Sequence, residues 1–485
     1  MYFSRRLILV YLLCSPAVAQ VPLLQPQNNT FNSSFTLTDE QISRANLSAA
    51  VAHNVNIATR FERSNWATGP VLSDPFYTDL PLEAADAPPG SLLKVEEFTD
   101  TSTYTLAPTL ALSRFIYQSR TLNGTAVPVS AYILWPFYPR GGGTRAPIVS
   151  WGHGTSGGFA ECAPSHVRSL WYQFSGPYAL ALAGYAVVAT DYAGLGVSRY
   201  PDGRKIQHQY EASPAAGYDI LYAVQAAREA FPDKLTEEFA VMGVSQGGGA
   251  AWGAAQVQRE IQIPGYRGSI AAAPVTDPIR AAKLSGSSLG LIQSAKGIQS
   301  VFPDQLLLSD ILTERGIAVS DLAEEISACN AGLVTLATNI LAEDPTITLT
   351  NDAFLNSSHA EAWADMVSVG GKDFQGPLLL LQGTADGIIP ETLVTTVVNE
   401  TCERFPHRGL HYVRAESISH VPILYAAQQL WLDWLSERFR GSPSGDETGH
   451  CSSQHMGRTA PRPLEQYTSD IGYFMQYALE AYSLA

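Results

Sequence analysis

Five consecutive residues, Gly243-Val244-Ser245-Gln246-Gly247, have the G-x-S-x-G form in which a serine sits on a strand-to-helix turn. Such a turn is so tight that side chains two positions either side of the serine would clash, hence the glycines. The context fits: the apolar run Phe239-Ala240-Val241-Met242 precedes it and a helix-like stretch over residues 248–256 follows. Ser245 Oγ would stand at the start of a helix, near its positive end. A serine hydroxyl is a weak nucleophile near neutral pH, so it needs a general base, and the base needs an orienting acid. In this kind of site the chain order is Ser, acid, His. Five of the ten histidines lie well beyond the serine, after a long helical stretch: His407, His411, His420, His450 and His455. His420 sits in a serine-rich loop after a strand and just before an amphipathic helix, the position expected for the base. His407 reads as a turn residue and His411 as a strand residue. The acid should follow the preceding strand, and Asp386 does so in Gln382-Gly383-Thr384-Ala385-Asp386-Gly387. Asp373 precedes that strand and so lies at its wrong end. Glu416 is the main competitor.

Acyl transfer also requires two backbone N–H groups aimed at the developing oxyanion. Gln246, the residue after the nucleophile, supplies one. The second is expected from the glycine-rich loop Gly152-His153-Gly154-Thr155-Ser156-Gly157-Gly158, with Thr155 chosen and Gly154 and His153 as alternatives. His153 itself reads as a structural hydrogen-bonder. The sequence holds no metal-binding spacing and no phosphate-cradling glycine loop after a strand, and this chemistry needs no cofactor.

These residues must be carried by an α/β scaffold. Short apolar runs alternate with helical stretches. Residues 115–117 and 129–134 read as antiparallel strands. Runs at 147–151, 185–190, 239–242, 268–273, 377–381 and 411–414 read as the strands of a mostly parallel sheet with helices on both faces. Residues 215–230 read as a helix. From 277 to 375 the strands stop, and residues 289–298, 306–312, 321–341 and 360–366 look helical. An insertion there would sit above the carboxyl ends of the strands, as a cap over the site. The expected division is a signal peptide at 1–19, an N-terminal segment at 20–95, an α/β-hydrolase core at 96–276 and 376–440, the cap at 277–375, and a C-terminal segment at 441–485.

The first residues read as a secretory signal. Arg5 and Arg6 form a basic region, Leu7 to Leu13 an apolar one, and Ala17-Val18-Ala19 a cleavage site. The apolar run falls short of the ~20 residues that span a bilayer, and no later run is long enough. Six N-x-[ST] sequons fit a secretory route: Asn28, Asn32, Asn46, Asn123, Asn356 and Asn399. Losing the signal takes the formal charge from −15 to −17, which disfavours nucleic acid and anionic membranes as partners. A small-molecule or lipid ester is the expected partner; oligomeric state is not legible.

The chain resembles the fungal secretory lipases, the lipase A-type branch of the α/β-hydrolases. The resemblance runs from Asp74-Pro75-Phe76-Tyr77 through Pro88-Pro89-Gly90, Cys162-Ala163-Pro164-Ser165, Asp191-Tyr192-Ala193-Gly194 and the Ser245 turn. It continues to Gly383-Thr384-Ala385-Asp386 and to His420 with Tyr425 and Trp431. It implies ester hydrolysis, a helical cap between the strands near Ala271 and Leu379, and two disulfides. Four cysteines remain once Cys14 leaves with the signal, and they allow three pairings. Position favours Cys162 with Cys329, joining the cap to the rim of the site, and Cys402 with Cys451, pinning the C-terminal segment to the core. The resemblance implies the same two bridges. An extracellular lipase or esterase working through an acyl-enzyme is thus the main expectation. The competing readings are an esterase or acyltransferase acting on an acylated natural product, a serine peptidase, and a binding protein on an inactive hydrolase fold.

Overall fold

The computed structural model describes residues 34–171, 175–285, 289–440, 449–457 and 460–468. Among them are ten strands: β1 (Leu92–Glu96), β2 (Ala111–Arg120), β3 (Ala126–Trp135), β4 (Ala146–Gly152), β5 (Ala186–Thr190), β6 (Leu235–Val244), β7 (Tyr266–Ala272), β8 (Leu378–Gly383), β9 (Leu410–Ala415) and β10 (Cys451–Met456). They form one sheet in the order β1-β2-β3-β5-β4-β6-β7-β8-β9-β10. The first four are antiparallel neighbours, and every pairing from β5 to β10 is parallel. Strands β4, β5 and β8 are buried along their whole length, because both faces are covered and an apolar run loses nothing by having no wet side. Successive residues divide between the two faces. Ile148, Val188, Val241 and Leu380 pack with Ile220 and Trp252 of the helices Ser213–Ala230 and Gln246–Ile261. Val149, Val187, Met242 and Leu381 pack with Leu180 and Trp431 of the helices Pro177–Leu182 and Gln428–Phe439. The chain has the architecture expected of the α/β-hydrolase fold: a large, mostly parallel sheet with helices on both sides.

Between β7 and β8 lie the helices Pro278–Ser285, Leu289–Val301, Leu308–Ile311, Glu314–Glu325, Asn330–Glu343 and Ser358–Val367. They have an apolar core of their own, including Ile298, Leu336 and Trp363. The N-terminal segment shares that core. Leu37, Val51 and Val55 are buried in it, the last two on the helix Ala49–Ser64. Asn54 Nδ2 donates to Asn339 Oδ1 at 2.7 Å. The Glu62 carboxyl accepts the backbone N–H groups of Cys329 (2.9 Å) and Gly332 (2.8 Å) at the start of Asn330–Glu343. Buried side chains of Ala49–Ser64 thus share one apolar cluster with the cap helices, which also takes in Ala212 and Ala215. The expected 95/96 division falls inside β1.

Two further details depart from expectation. The helix expected over 321–341 is broken between Glu325 and Asn330, where Ser327 takes a left-handed φ of 52°. That break brings Cys329 within 5.4 Å (Cα–Cα) of Cys162, to which it is bonded. Strand β10 was not expected, because Cys451-Ser452-Ser453-Gln454-His455-Met456 has no apolar face. It is a polar edge strand, held to the core by the Cys402–Cys451 disulfide. No helix among the described residues is long and apolar enough to cross a membrane. Asn46, Asn123, Asn356 and Asn399 are exposed. Asn28, Asn32 and the expected signal at 1–19 lie outside the described residues.

Candidate active site

Ser245 links β6 directly to the helix Gln246–Ile261 and holds φ 61°, ψ −121°. This left-handed backbone is costly for a residue with a side chain and persists only where packing enforces it. The enforcement is visible at the flanking glycines. A Cβ on Gly247 would lie 2.0 Å from Gly152 O, and one on Gly243 2.1 Å from Gly247 O. The turn thus presses against the end of β4, where the glycine-rich loop begins. The N–H of Gln246, in the first turn of its helix, has no acceptor within the helix.

The acid and base loops leave the same edge of the sheet. Successive backbone bonds step across it: Ser245 N to Ala272 O, Ala273 N to Leu381 O, Thr384 N to Ala415 O and Ala385 N to Ile418 O. Gly383 has no room for a side chain, since a Cβ there would meet Ile418 O at 2.1 Å. The two loops are therefore in contact, and His420 Nδ1 lies 2.7 Å from Asp386 Oδ2. Both residues are buried. Asp386 is saturated by donors: Oδ1 accepts the N–H groups of Ile388 and Ile389, each at 2.9 Å, and Oδ2 also accepts Gln382 Nε2 at 3.0 Å. An acceptor-only carboxylate so held fixes the histidine tautomer with its proton on Nδ1 and Nε2 free to accept. Gln382, the polar end of an otherwise apolar strand, was not singled out from the sequence. Among the described residues no hydrogen bond joins Ser245 Oγ to His420. In sites without substrate this contact is often long.

The competitors lie elsewhere. Glu416 is exposed and packs beside Gly457. Asp373, below β8, is paired with Arg408 and Arg259. His411 bonds Ser452 and Gln454 across the β9–β10 surface, and His407, His450 and His455 are exposed. In the glycine-rich loop, Thr155 Oγ1 meets the Tyr210 hydroxyl at 2.8 Å. His153 is buried, with Nδ1 on Gly154 O (2.7 Å) and Nε2 facing Asp191 O (3.2 Å). Burial holds its pKa down to about 4, so it is neutral near pH 7. The described residues hold no cluster of three or more His, Cys, Asp or Glu side chains arranged for a metal.

The family model of the secretory lipases matches residues 177–447, more than half of the chain and including all three of these side chains. The chain belongs to the secretory lipase family. It is accordingly a carboxylic ester hydrolase. No curated protein sequence matches it. Among solved structures, lipase A of Candida antarctica in its closed state is 17% identical, with a TM-score of 0.63 over 82% of this chain and 93% of that one. The rice cell wall degrading esterase LipA from Xanthomonas oryzae is 18% identical, with a TM-score of 0.54 over 73% and 99%. At such identity the likeness is one of fold.

In this secretory lipase three of the remaining sequence motifs, those at Asp74, Ser165 and Asp191, meet in one buried network behind the glycine-rich loop. Asp74 caps the short helix Pro75–Thr78 and pairs with buried Arg114 at 3.1 Å. Tyr77 reaches Ser165 Oγ at 2.8 Å. Asp191 accepts from Ser165 N (2.8 Å), Ser165 Oγ and Ser130 Oγ (2.6 Å). Burial raises the Asp191 carboxyl to about 6, against the pull of those donors. The next residue, Tyr192, donates its hydroxyl to His153 O at 3.1 Å. The network holds the loop in place from behind. The Cys162–Cys329 bridge and the bond from Asn330 N to Ser156 O (2.8 Å) fasten its front to the cap.

Proposed function

We propose that this protein is a secreted lipase or esterase that works through an acyl-enzyme on Ser245. His420 Nε2 takes the serine proton as Oγ attacks the ester carbonyl, and Asp386 orients the imidazole and stabilises its charged form. The tetrahedral oxyanion is received by the N–H of Gln246 and by Thr155. His420 then protonates the leaving alcohol, and water attacks the acyl-enzyme by the same steps in reverse. The observation that carries the reading is the 2.7 Å contact between His420 and a fully solvated-by-protein Asp386, on the sheet edge that also carries the strained Ser245 turn. The cap supplies apolar surface for the acyl chain. Secretion is supported by the two disulfides, which persist in oxidising compartments, and by the exposed sequons.

The test is covalent. A serine-directed phosphonate should add its mass to the peptide containing Ser245 and to no other. Ser245→Ala should abolish the adduct and lower kcat on p-nitrophenyl esters by roughly 10⁴ or more with the fold intact. Labelling that survives the substitution rejects the assignment. Turnover of peptide amides rather than esters favours the peptidase reading.

A further inference from the structure

Strand β8 reads Leu378-Leu379-Leu380-Leu381-Gln382-Gly383, four leucines followed by a fully buried glutamine. The nitrogen of that amide is surrounded by oxygens: Gly383 O at 3.3 Å, Asp386 Oδ2 at 3.0 Å and Ile389 O at 3.0 Å. An amide oxygen in the same place would face three acceptors, so the side chain must turn its two N–H groups there. Its own oxygen, Oε1, is then buried with no donor among the described residues. A buried acceptor without a donor destabilises a fold, and a fifth leucine would leave none. The fold gains nothing from a polar side chain at this position except its grip on the acid loop.

We propose that Gln382 is a positioning residue for ester hydrolysis: its amide fixes Asp386 Oδ2 independently of His420. The inference rests on the reading of Asp386 as the acid of the site. A carboxylate can orient an imidazole only if its own plane is set by something else. Asp386 Oδ1 is anchored by the N–H groups of Ile388 and Ile389, each at 2.9 Å. Those two bonds pin one oxygen and leave the carboxylate free to turn about it. Oδ2 has two donors among the described residues, His420 Nδ1 at 2.7 Å and Gln382 Nε2 at 3.0 Å. Without the amide, Oδ2 would be placed only by the ring it has to place. The amide is itself well held. Its strand is paired with β7 as far as Leu381 and with β9 through Gly383, so the reference for the carboxylate is the sheet rather than a loop. The second N–H reaches Ile389 O and closes the short turn 386–389 around the acid. Arg414, opposite Gln382 in the β8–β9 register, pairs with Glu391 at 3.4 Å, so on this face the link to Asp386 is the uncharged amide. When His420 takes the serine proton, its bond to Oδ2 becomes one between charges and strengthens. A carboxylate that has drifted loses that gain, which belongs to the transition state and not to ester binding.

The test is a double-mutant cycle: kcat and KM on one soluble p-nitrophenyl ester for the parent, Gln382→Met, Asp386→Asn and the two combined. Gln382→Leu, the residue of the four preceding positions, is carried through the same cycle as a second apolar replacement. Each replacement of Gln382 should lower kcat roughly tenfold, the worth of one hydrogen bond to a charged group, with KM unchanged. With Asp386→Asn already in place, the same replacements should change kcat by less than about twofold, because they act through the carboxylate. A glutamine that only clamped the turn would instead give the same loss in both backgrounds. Melting temperatures show which variants are folded. Losses that multiply overturn the inference, and so does parental kcat in Gln382→Met or Gln382→Leu. If neither replacement folds, the amide is a structural clamp and the positioning role is rejected as well. If Asp386→Asn keeps the parental kcat, it is the reading of the site itself that fails. An impaired Asp386→Asn whose loss multiplies with that of Gln382→Met rejects the positioning role alone.

Discussion

A hydrolase site of this kind depends on a few atoms held against their preferences. Ser245 adopts a backbone its side chain disfavours, and Gly243 and Gly247 are there because backbone oxygens occupy the space a Cβ would need. Gly247→Ala should therefore cost more than its helix propensity would suggest, and lose both folding yield and activity. The base and the acid should differ in weight. His420→Ala removes the proton acceptor and should come close to Ser245→Ala. Asp386→Asn leaves the imidazole in place with the wrong tautomer and should cost roughly one to two orders of magnitude less in kcat. Exposed Glu416 serves as the control, and Glu416→Gln should leave kcat within about twofold of the parent, as surface substitutions generally do. Steady-state kinetics on a soluble ester decide the order. A larger loss for Glu416→Gln than for Asp386→Asn would show that the wrong carboxyl has been assigned.

At the scale of elements, the cap and the core are joined at the glycine-rich loop beside the candidate site. The Cys162–Cys329 bridge closes a separation of 167 residues and Cys402–Cys451 one of 49. In the chain-entropy picture these stabilise by about 5 and about 4 kcal/mol. Cys329→Ser should release the cap from the glycine-rich loop. Hydrogen exchange should then rise over Asn330–Glu343 and residues 153–162 while β4 to β8 stay protected. Uniform exchange across the sheet would mean that cap and core unfold as one unit. On the proposed function, substitutions in the cap should also alter acyl preference. Ile292 lines a chamber of about 20 Å³ together with Phe159, His208 and Leu333, which as it stands is room for one water. Ile292→Ala should enlarge it and shift preference towards longer acyl chains, in graded steps of about 0.8 kcal/mol per methylene newly buried. Unchanged relative rates across a series of p-nitrophenyl esters would place the acyl chain elsewhere.

At the scale of the whole molecule, burial shifts the protonation of four carboxyls among the described residues and, in the opposite sense, of two imidazoles. Burial raises the carboxyls of Glu62 to about 7, Asp191 to about 6, Asp219 to about 7 and Glu211 to about 7. The folded protein binds these protons more tightly than the unfolded chain does. Their contribution is full below the ordinary carboxyl range and is lost as pH rises through 6 to 7. His153 and His208, held at about 4, act the other way: their contribution is present above the ordinary histidine range and lost as pH falls towards 4. Four groups against two leave a net loss of stability between about pH 5 and pH 7. Calorimetry should find Tm higher at pH 5 than at pH 7.5, by roughly 3 °C or more. Below about pH 4 the trend should reverse, as paired Asp373, Glu260 and Glu324, whose pKa values are lowered, become protonated. A Tm that rises steadily from pH 5 to 7.5 contradicts this account.

Local chemistry was enough to make the Ser245 turn, the central strands and the helical insertion readable in the chain. Tight turns demand glycine at set offsets, doubly covered strands demand unbroken apolar runs, and both constraints act within ten residues. The sequence also ordered the candidates, singling out Asp386 over Asp373 and His420 over His411 by their place relative to a strand end. Contacts between distant segments left no such local mark. Nothing in Cys451–Met456 announces a strand, because a polar edge needs only a neighbour and a disulfide. Nothing in Ala49–Ser64 says that its apolar face covers the cap rather than the sheet. The motif at Asp74, the Ser165 turn and Asp191 read as three separate signals and become one polar network only when the fold buries them together. The bonds of Thr155 and Gln246 to the 208–211 segment are of the same kind. A hydrogen bond between residues dozens of positions apart is set by packing, and only the folded chain shows which donors and acceptors it has brought within reach.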